Sequence, residues 1–108
     1  MMGTHTNFEH VSIAKKANVY MDGNCVSYDL DFPGHTHKTL GVVLRSTVPF
    51  RADVPETIEI VAGRCRVRFD AHGDWKEYRA GERFHVPADA MFEMEAVEPT
   101  HYVCHMNS

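Results

Sequence analysis

The stretch "TIEIVAGRCRVRF", residues 57–69, constrains the fold more than any other. Ile58 and Ile60 alternate with Thr57 and Glu59, and beyond Gly63 the residues Cys65, Val67 and Phe69 alternate with Arg64, Arg66 and Arg68. A period of two sends successive side chains to opposite faces of an extended chain. Both halves therefore read as strands with an apolar face inward and the arginines on a solvated outer face. Gly63 is expected to turn one into the other as a hairpin.

The rest of the chain repeats this grammar. "ANVYMDGNCVSYDL" holds two β-rich runs around Asp22-Gly23-Asn24, a hairpin signal. "TLGVVLRSTVPF" reads as one strand-like stretch closed by Pro49, and "RAGERFHVP", "AMFEMEAVE" and "HYVCHM" read as further strands. Roughly eight short strands punctuated by Gly and Pro, with no amphipathic helix, predict an all-β antiparallel sandwich or barrel. Residues 1–10 lack either periodicity and predict a loosely ordered arm, ahead of one domain over 11–108.

Composition excludes several classes. At 108 residues, 44% hydrophobic and 24% charged, the chain is a single globular domain, and no apolar run approaches a membrane span. The N-terminal "MMGTHTNFEH" shows no secretory pattern, so the cytoplasm is the expected compartment. Cys25, Cys65 and Cys104 are an odd, widely spaced set without a C-x-x-C pair, which reads as structural thiols. A net charge of -4 offers no basic field for a nucleic-acid polymer, although a small anion remains compatible.

Glu56 and Gly63 stand six residues apart, and "GERFHVPADAMF" begins with Gly81 followed five residues later by Pro87. These spacings resemble the two motifs of the cupin superfamily, cupin-type antiparallel jelly-roll barrels that hold a metal. The first motif places histidines where this chain has Phe50 and Ala52. The second places a glycine at Asp89 and a histidine at Phe92. One carboxylate, Glu56, is all that survives of the ligand set, and alone it is a poor transition-metal site. Glu56 shares a strand face with Ile58 and Ile60, where an unpartnered ion is costly. Two readings follow: a solvated carboxylate at the barrel mouth, or an acceptor for a ligand's hydroxyls beside an apolar wall of Phe50 and Phe92.

His35 and His37 in "GHTHKT" are two apart and on a strand would face the same way, as metal ligands do. No glutamate follows at cupin spacing, and paired surface histidines are the plainer reading. Trp75 and Tyr78 have the shape to stack a ligand, with capping of the barrel's open end as the plainer role. No P-loop or G-x-S-x-G is present.

"KKANVYMDG", "KTLGVV", "PETIEIVAG", "DWKEYRAGERFHVP" and "VEPTHYVC" together resemble the small cupins of the pyrimidine/purine nucleoside phosphorylase family, from about Phe8 to the C-terminus. The W-x-x-Y-x-A-G-x-x-F-x-V-P and E-P-T-x-Y-x-C patterns are its specific parts. Ala88-Asp89 departs from the family's usual Gly-polar pair. The resemblance implies a cytoplasmic homodimer without metal or other cofactor. Its implied reaction is cleavage of purine and pyrimidine nucleosides by inorganic phosphate to free base and pentose 1-phosphate. The implied range covers uridine, cytidine, thymidine, adenosine, guanosine, inosine and xanthosine.

That reaction develops positive charge on the ribose as the glycosidic bond breaks. Glu56 is the expected catalytic carboxylate, stabilising that charge or holding ribose hydroxyls. Phosphate requires a cation or N–H cluster, for which Lys38 is the first expectation and His37 the second. Phe50, Phe84 and Phe92 are expected against base or sugar, and Tyr102 to offer a hydroxyl. The rival readings are a non-catalytic small-molecule-binding cupin and a metal-dependent cupin using His35 and His37.

Overall fold

The computed structural model describes residues 6–106, so residues 1–5 of the expected arm lie outside the described residues. Eleven strands follow in order: β1 (Ser12–Ile13), β2 (Asn18–Tyr20), β3 (Cys25–Phe32), β4 (Thr36–Val43), β5 (Ser46–Arg51), β6 (Glu56–Ala62), β7 (Arg64–Arg68), β8 (Lys76–Arg79), β9 (Arg83–Val86), β10 (Met91–Ala96) and β11 (Thr100–Met106). All pairings are antiparallel. One sheet runs β1-β3-β4-β11-β6-β9 with β2 also on β3, and the second runs β5-β10-β7-β8. Their inner faces share one core, to which Ile58, Ile60, Tyr102 and Cys104 contribute from the large sheet and Val48, Val67, Phe92 and Met94 from the small. This is the antiparallel sandwich that the alternation predicts and the jelly roll that the cupin resemblance implies.

The alternation of residues 57–69 is observed, with Ile58, Ile60, Cys65 and Val67 buried. The hairpin is not. β6 lies in the large sheet and β7 in the small one, so Gly63 is a corner between sheets. Its φ is +91°, and a Cβ there would stand 2.3 Å from the Pro99 carbonyl oxygen, so only glycine fits this corner. Phe69 falls just past the end of β7 and is 48% exposed, with its ring edge-on to Phe84.

"TLGVVLRSTVPF" is likewise two strands in different sheets, β4 and β5, with the crossing at Leu44-Arg45. Pro49 sits inside β5, opposite Glu93. β5 is the outermost strand of its sheet, and an edge strand tolerates a residue with no N–H to donate. The Asp22-Gly23-Asn24 hairpin is observed: β2 pairs with β3 across a single 3-10 turn at Met21–Gly23. Of the arm, residues 6–10 form no strand, and Phe8 packs edge-on against Phe32 at 5.2 Å.

The arginine face of the small sheet is organised as ion pairs. Arg66 pairs with Glu95, and Arg68 with Glu93 at 2.7 Å. Trp75 lies over both guanidinium groups, 5.1 Å from that of Arg66 and 4.4 Å from that of Arg68, and so covers the outer face instead of an open end. Tyr78 packs on Phe84 with ring centroids 4.7 Å apart. Cys25, Cys65 and Cys104 are free thiols, all buried, as the spacing predicts.

Candidate active site

Between the sheets lies a cavity of about 490 Å³. The period of the strands decides what it presents. From the large sheet come Ser27 and Asp29 of β3, Thr39 of β4, Glu56 and Ile58 of β6, and Tyr102 and Cys104 of β11. The small sheet supplies Val48 and Phe50 of β5 with Phe92 and Met94 of β10, while Asn18, Arg51 and Asp53 lie around its edge. One wall is thus polar and the other aromatic. Such a combination orients a flat ligand that carries hydroxyls.

On the aromatic wall, Phe50 and Phe92 are directly paired in register and their rings stack at 5.2 Å with an interplanar angle of 17°. These occupy two of the positions where metal-binding cupins carry histidines, and Ala52, at a third, is fully buried. The three positions are filled by side chains that carry no metal-ligating atom. Among the described residues, no group of three or more His, Cys, Asp or Glu side chains is arranged to hold a metal ion. His35 lies in the turn before β4 with φ +66°, so it does not share a strand face with His37. His37 is exposed and ion-paired with Asp31.

Glu56, the first residue of β6, is half-buried and lines the cavity. Burial raises its pKa above the ordinary carboxylate value, a hydrogen bond from Cys104 lowers it, and the nearby charge of Asp53 raises it again. Cys104 is itself buried, with its thiol pushed up to about 12, chiefly by desolvation, so it is protonated at neutral pH. Tyr102 lies across the position of Gly41, its register partner on β4, and its hydroxyl is 3.8 Å from Cys25 Sγ. Burial first, and the Cys25 thiol second, hold that phenol well above its ordinary pKa. Asn18 Nδ2 donates to Ser27 Oγ at 3.3 Å and to Asp29 Oδ1 at 3.2 Å, fixing the polar wall at the β2–β3 edge.

The expected site residues divide. Glu56, Phe50, Phe92 and Tyr102 come together in the cavity. Phe84 is buried behind them, edge-on to Phe92 at 5.7 Å, and supports the wall without reaching the cavity. Lys38 is on the opposite face of the large sheet, because Thr39 takes the inward position on β4. Its ammonium, which can only donate, meets His105 Nδ1 at 2.6 Å, and His105 Nε2 then donates to Glu59 Oε1 at 2.9 Å. Lys38 and His37 therefore do not line the cavity.

The residues that sequence reasoning passes over are Asn18, Asp29, Thr39, Arg51 and Cys104. Arg51 is the one Lys or Arg among the described cavity-lining residues, and its Nη2 lies 3.4 Å from Asp89 Oδ1. Asp89 stands where the cupin motif has glycine and adopts φ +64°, a region that Asp tolerates better than most residues. Its N–H donates to the Ala52 carbonyl at 2.7 Å, which ties the loop to the end of β5. Arg51 lies between the inward Phe50 and Ala52, so period two gives no sign of it, and it meets the cavity only at the exposed edge.

Comparison with known proteins bears on what such a cavity does. Residues 15–106 match the family described as pyrimidine/purine nucleoside phosphorylase. A protein of that name from Thiobacillus denitrificans is 50% identical over 101 residues, covering 93% of this chain and 97% of the relative. One of the same name from Burkholderia orbicola is 48% identical over 103 residues, covering 95% and 97%. A crystal structure of an Acinetobacter protein of unknown function superposes with a TM-score of 0.91 at 40% identity, covering 94% of this chain and 99% of the other. A cupin superfamily protein from Desulfitobacterium hafniense, at 12% identity and a TM-score of 0.63, covering 86% and 84%, shares the fold.

Proposed function

Because this chain belongs to the pyrimidine/purine nucleoside phosphorylase family, we propose that its cavity binds a nucleoside and inorganic phosphate and catalyses phosphorolysis of the glycosidic bond. The observation that carries this is Glu56, a half-buried carboxylate facing the cavity that also bears the stacked rings of Phe50 and Phe92. Phosphate oxygen forms a bond to C1′ as the C1′–N bond breaks, and that bond's electron pair leaves with the base, which takes up a proton. The sugar ring is positively charged at the midpoint, and an ionised Glu56 stabilises it or holds its hydroxyls.

Aromatic contacts make no demand on ring substituents, since every base has a π-face. Phe50 and Phe92 thus support a substrate range spanning purines and pyrimidines. For phosphate, Arg51 replaces Lys38 as the residue of choice. It lies on the cavity, and a guanidinium offers paired donors to an oxyanion. The exposed contact with Asp89 at 3.4 Å is a weak competitor for those donors. No metal has a part in this reading: phosphate is the attacking group, and Phe50, Ala52 and Phe92 fill positions where a cupin's ligands stand.

The reading includes a homodimer. Ile13, Tyr28, Leu40 and Val61 are exposed apolar side chains of the large sheet's outer strands and face, the opposite side from the cavity. A second copy covering them removes this surface from water. Three buried free thiols suit a reducing cytoplasm, and among the described residues no helix is long and apolar enough to cross a membrane.

The test is release of free base from uridine, adenosine, guanosine and inosine, with and without phosphate, with a chelator present. Base release that requires phosphate and survives chelation is the expected result. A nucleoside that raises the melting temperature without being cleaved under any condition would replace the enzyme by a binding protein.

A further inference from the structure

Three side chains from three adjacent strands form a polar group inside the cavity: Thr39 of β4, Cys104 of β11 and Glu56 of β6. Cys104 is the register partner of Thr39 on one side and of Ile58 on the other, two residues along β6 from Glu56, so all three point to the inner face. Cys104 thus stands beside Thr39 and diagonally across from Glu56 on one inner face, within hydrogen-bonding reach of both. The directions follow from chemistry. A carboxylate only accepts, so the thiol hydrogen goes to Glu56, and the sulfur then accepts from the Thr39 hydroxyl.

We propose that Cys104 is a positioning residue, whose thiol, oriented by Thr39, donates to Glu56 and holds that carboxylate ionised and aimed into the cavity. The surroundings favour such a donor. The titratable and charged groups that share the cavity with Glu56 are Asp29, Asp53, Tyr102 and Arg51. Burial first, and the charge of Asp53 to a lesser degree, oppose ionisation of Glu56. Tyr102 is directed to Cys25, Arg51 lies at the exposed edge of the cavity, and the β9 residue opposite Glu56 is the apolar Val86. Lys38, on the far face, acts on the Cys104 thiol by its charge. Among the described residues the thiol is a donor that shares the inner face with Glu56. Its deep burial and protonation suit it for hydrogen bonding and unsuit it for attack on an electrophile.

The role rests on the phosphorolysis reading for its consequence but not for its measurement. Cys104→Ala and Cys104→Ser remove nearly equal volume, and serine keeps a donor. In C104A the acid limb of the kcat/KM profile moves toward neutral pH, with a severalfold loss of activity on the acid side and little change above neutrality. In C104S the limb returns most of the way to its wild-type position. Titration of the Glu56 carboxyl carbon by NMR, assigned with E56Q, reads the same contact without turnover, and its midpoint rises in C104A but not in C104S. A Glu56 midpoint unmoved in C104A, or moved equally in both variants, overturns the proposal. A midpoint that moves as expected in a protein that cleaves no nucleoside upholds the positioning contact and removes the enzymatic reading instead.

Discussion

Gly41 makes room for Tyr102. A Cβ on residue 41 would stand 2.7 Å from both Cζ and Oη of the tyrosine ring, which is therefore free to lie across β4 toward Cys25 and Ser27. Gly41→Ala forces this ring to shift inside a packed core, at a cost of about 1–3 kcal/mol. The melting temperature is expected to fall accordingly. Tyr102→Phe in the same background does not relieve the clash, because Cζ remains. Restoration of stability by G41A/Y102A, measured against Y102A alone, is the check on the contact.

Gly41 also explains why part of the site was hard to read. Over residues 57–60 of β6 and along β7 the apolar residues occupy one face and polar residues the other, so Ile58, Ile60, Cys65 and Val67 declare the inward side. On β4 both faces are apolar. Leu40 and Val42 point outward, and Gly41 and Val43 point inward. Period two then fixes alternation but not its sense, so the sequence alone leaves open whether Lys38 or Thr39 faces inward. The corner at Gly63 failed differently. Alternation reports which face of a strand is buried and carries no information on which strand lies beside it. Glu56, Phe50 and Phe92 were legible because motif spacing, unlike periodicity, refers to positions in a particular barrel.

Glu56 is costly to the fold in the form its role requires. Its pKa is raised mainly by burial, so the ionised carboxylate is less favourable in the folded chain than in the unfolded one. The penalty is absent below the ordinary value of 4.5 and grows as pH rises through the folded-state value. Glu56→Gln is expected to unfold at a higher temperature than wild type above neutrality, with the difference closing as the pH falls toward 4.5. Its turnover falls by roughly 10²–10³-fold, as when one charge-stabilising group is lost. Thermal melts across pH, paired with initial rates, test both halves. A variant that is less stable at every pH contradicts the argument.

The placement of Arg51 and Lys38 separates two accounts of the phosphate. A charge-assisted hydrogen bond is worth about 1.5–3 kcal/mol, or roughly 10–100-fold in affinity. Arg51→Met is therefore expected to raise the KM for phosphate by that order while changing the KM for nucleoside little. Lys38→Met leaves the phosphate KM near wild type, because its ammonium faces His105 across the sheet from the cavity. The opposite pattern in steady-state kinetics would return the assignment to Lys38.

The outer face of the large sheet supplies the last prediction. Tyr28, Leu40 and Val103 follow one another across β3, β4 and β11 in a single register row that continues to Glu59 on β6 and Arg83 on β9. Phe8, Val11 and Ile13 approach it from the N-terminal side, lining a shallow groove with Leu40, Val61 and Val103. A stable dimer buries about 800 Å² from each partner, and an apolar centre with charges at its edge, here Glu59 with His105 and Lys38, is the usual composition of such a surface. Leu40→Glu places a charge in the middle of the row. In the isolated chain this side chain is 40% exposed, so the substitution costs the monomer little. Across a two-fold contact it buries two unpaired carboxylates, and the dimer dissociates. Sedimentation velocity is expected to show a dimer for wild type and a folded monomer for L40E. A monomeric wild type, or an L40E protein that remains dimeric, places the contact elsewhere or removes it.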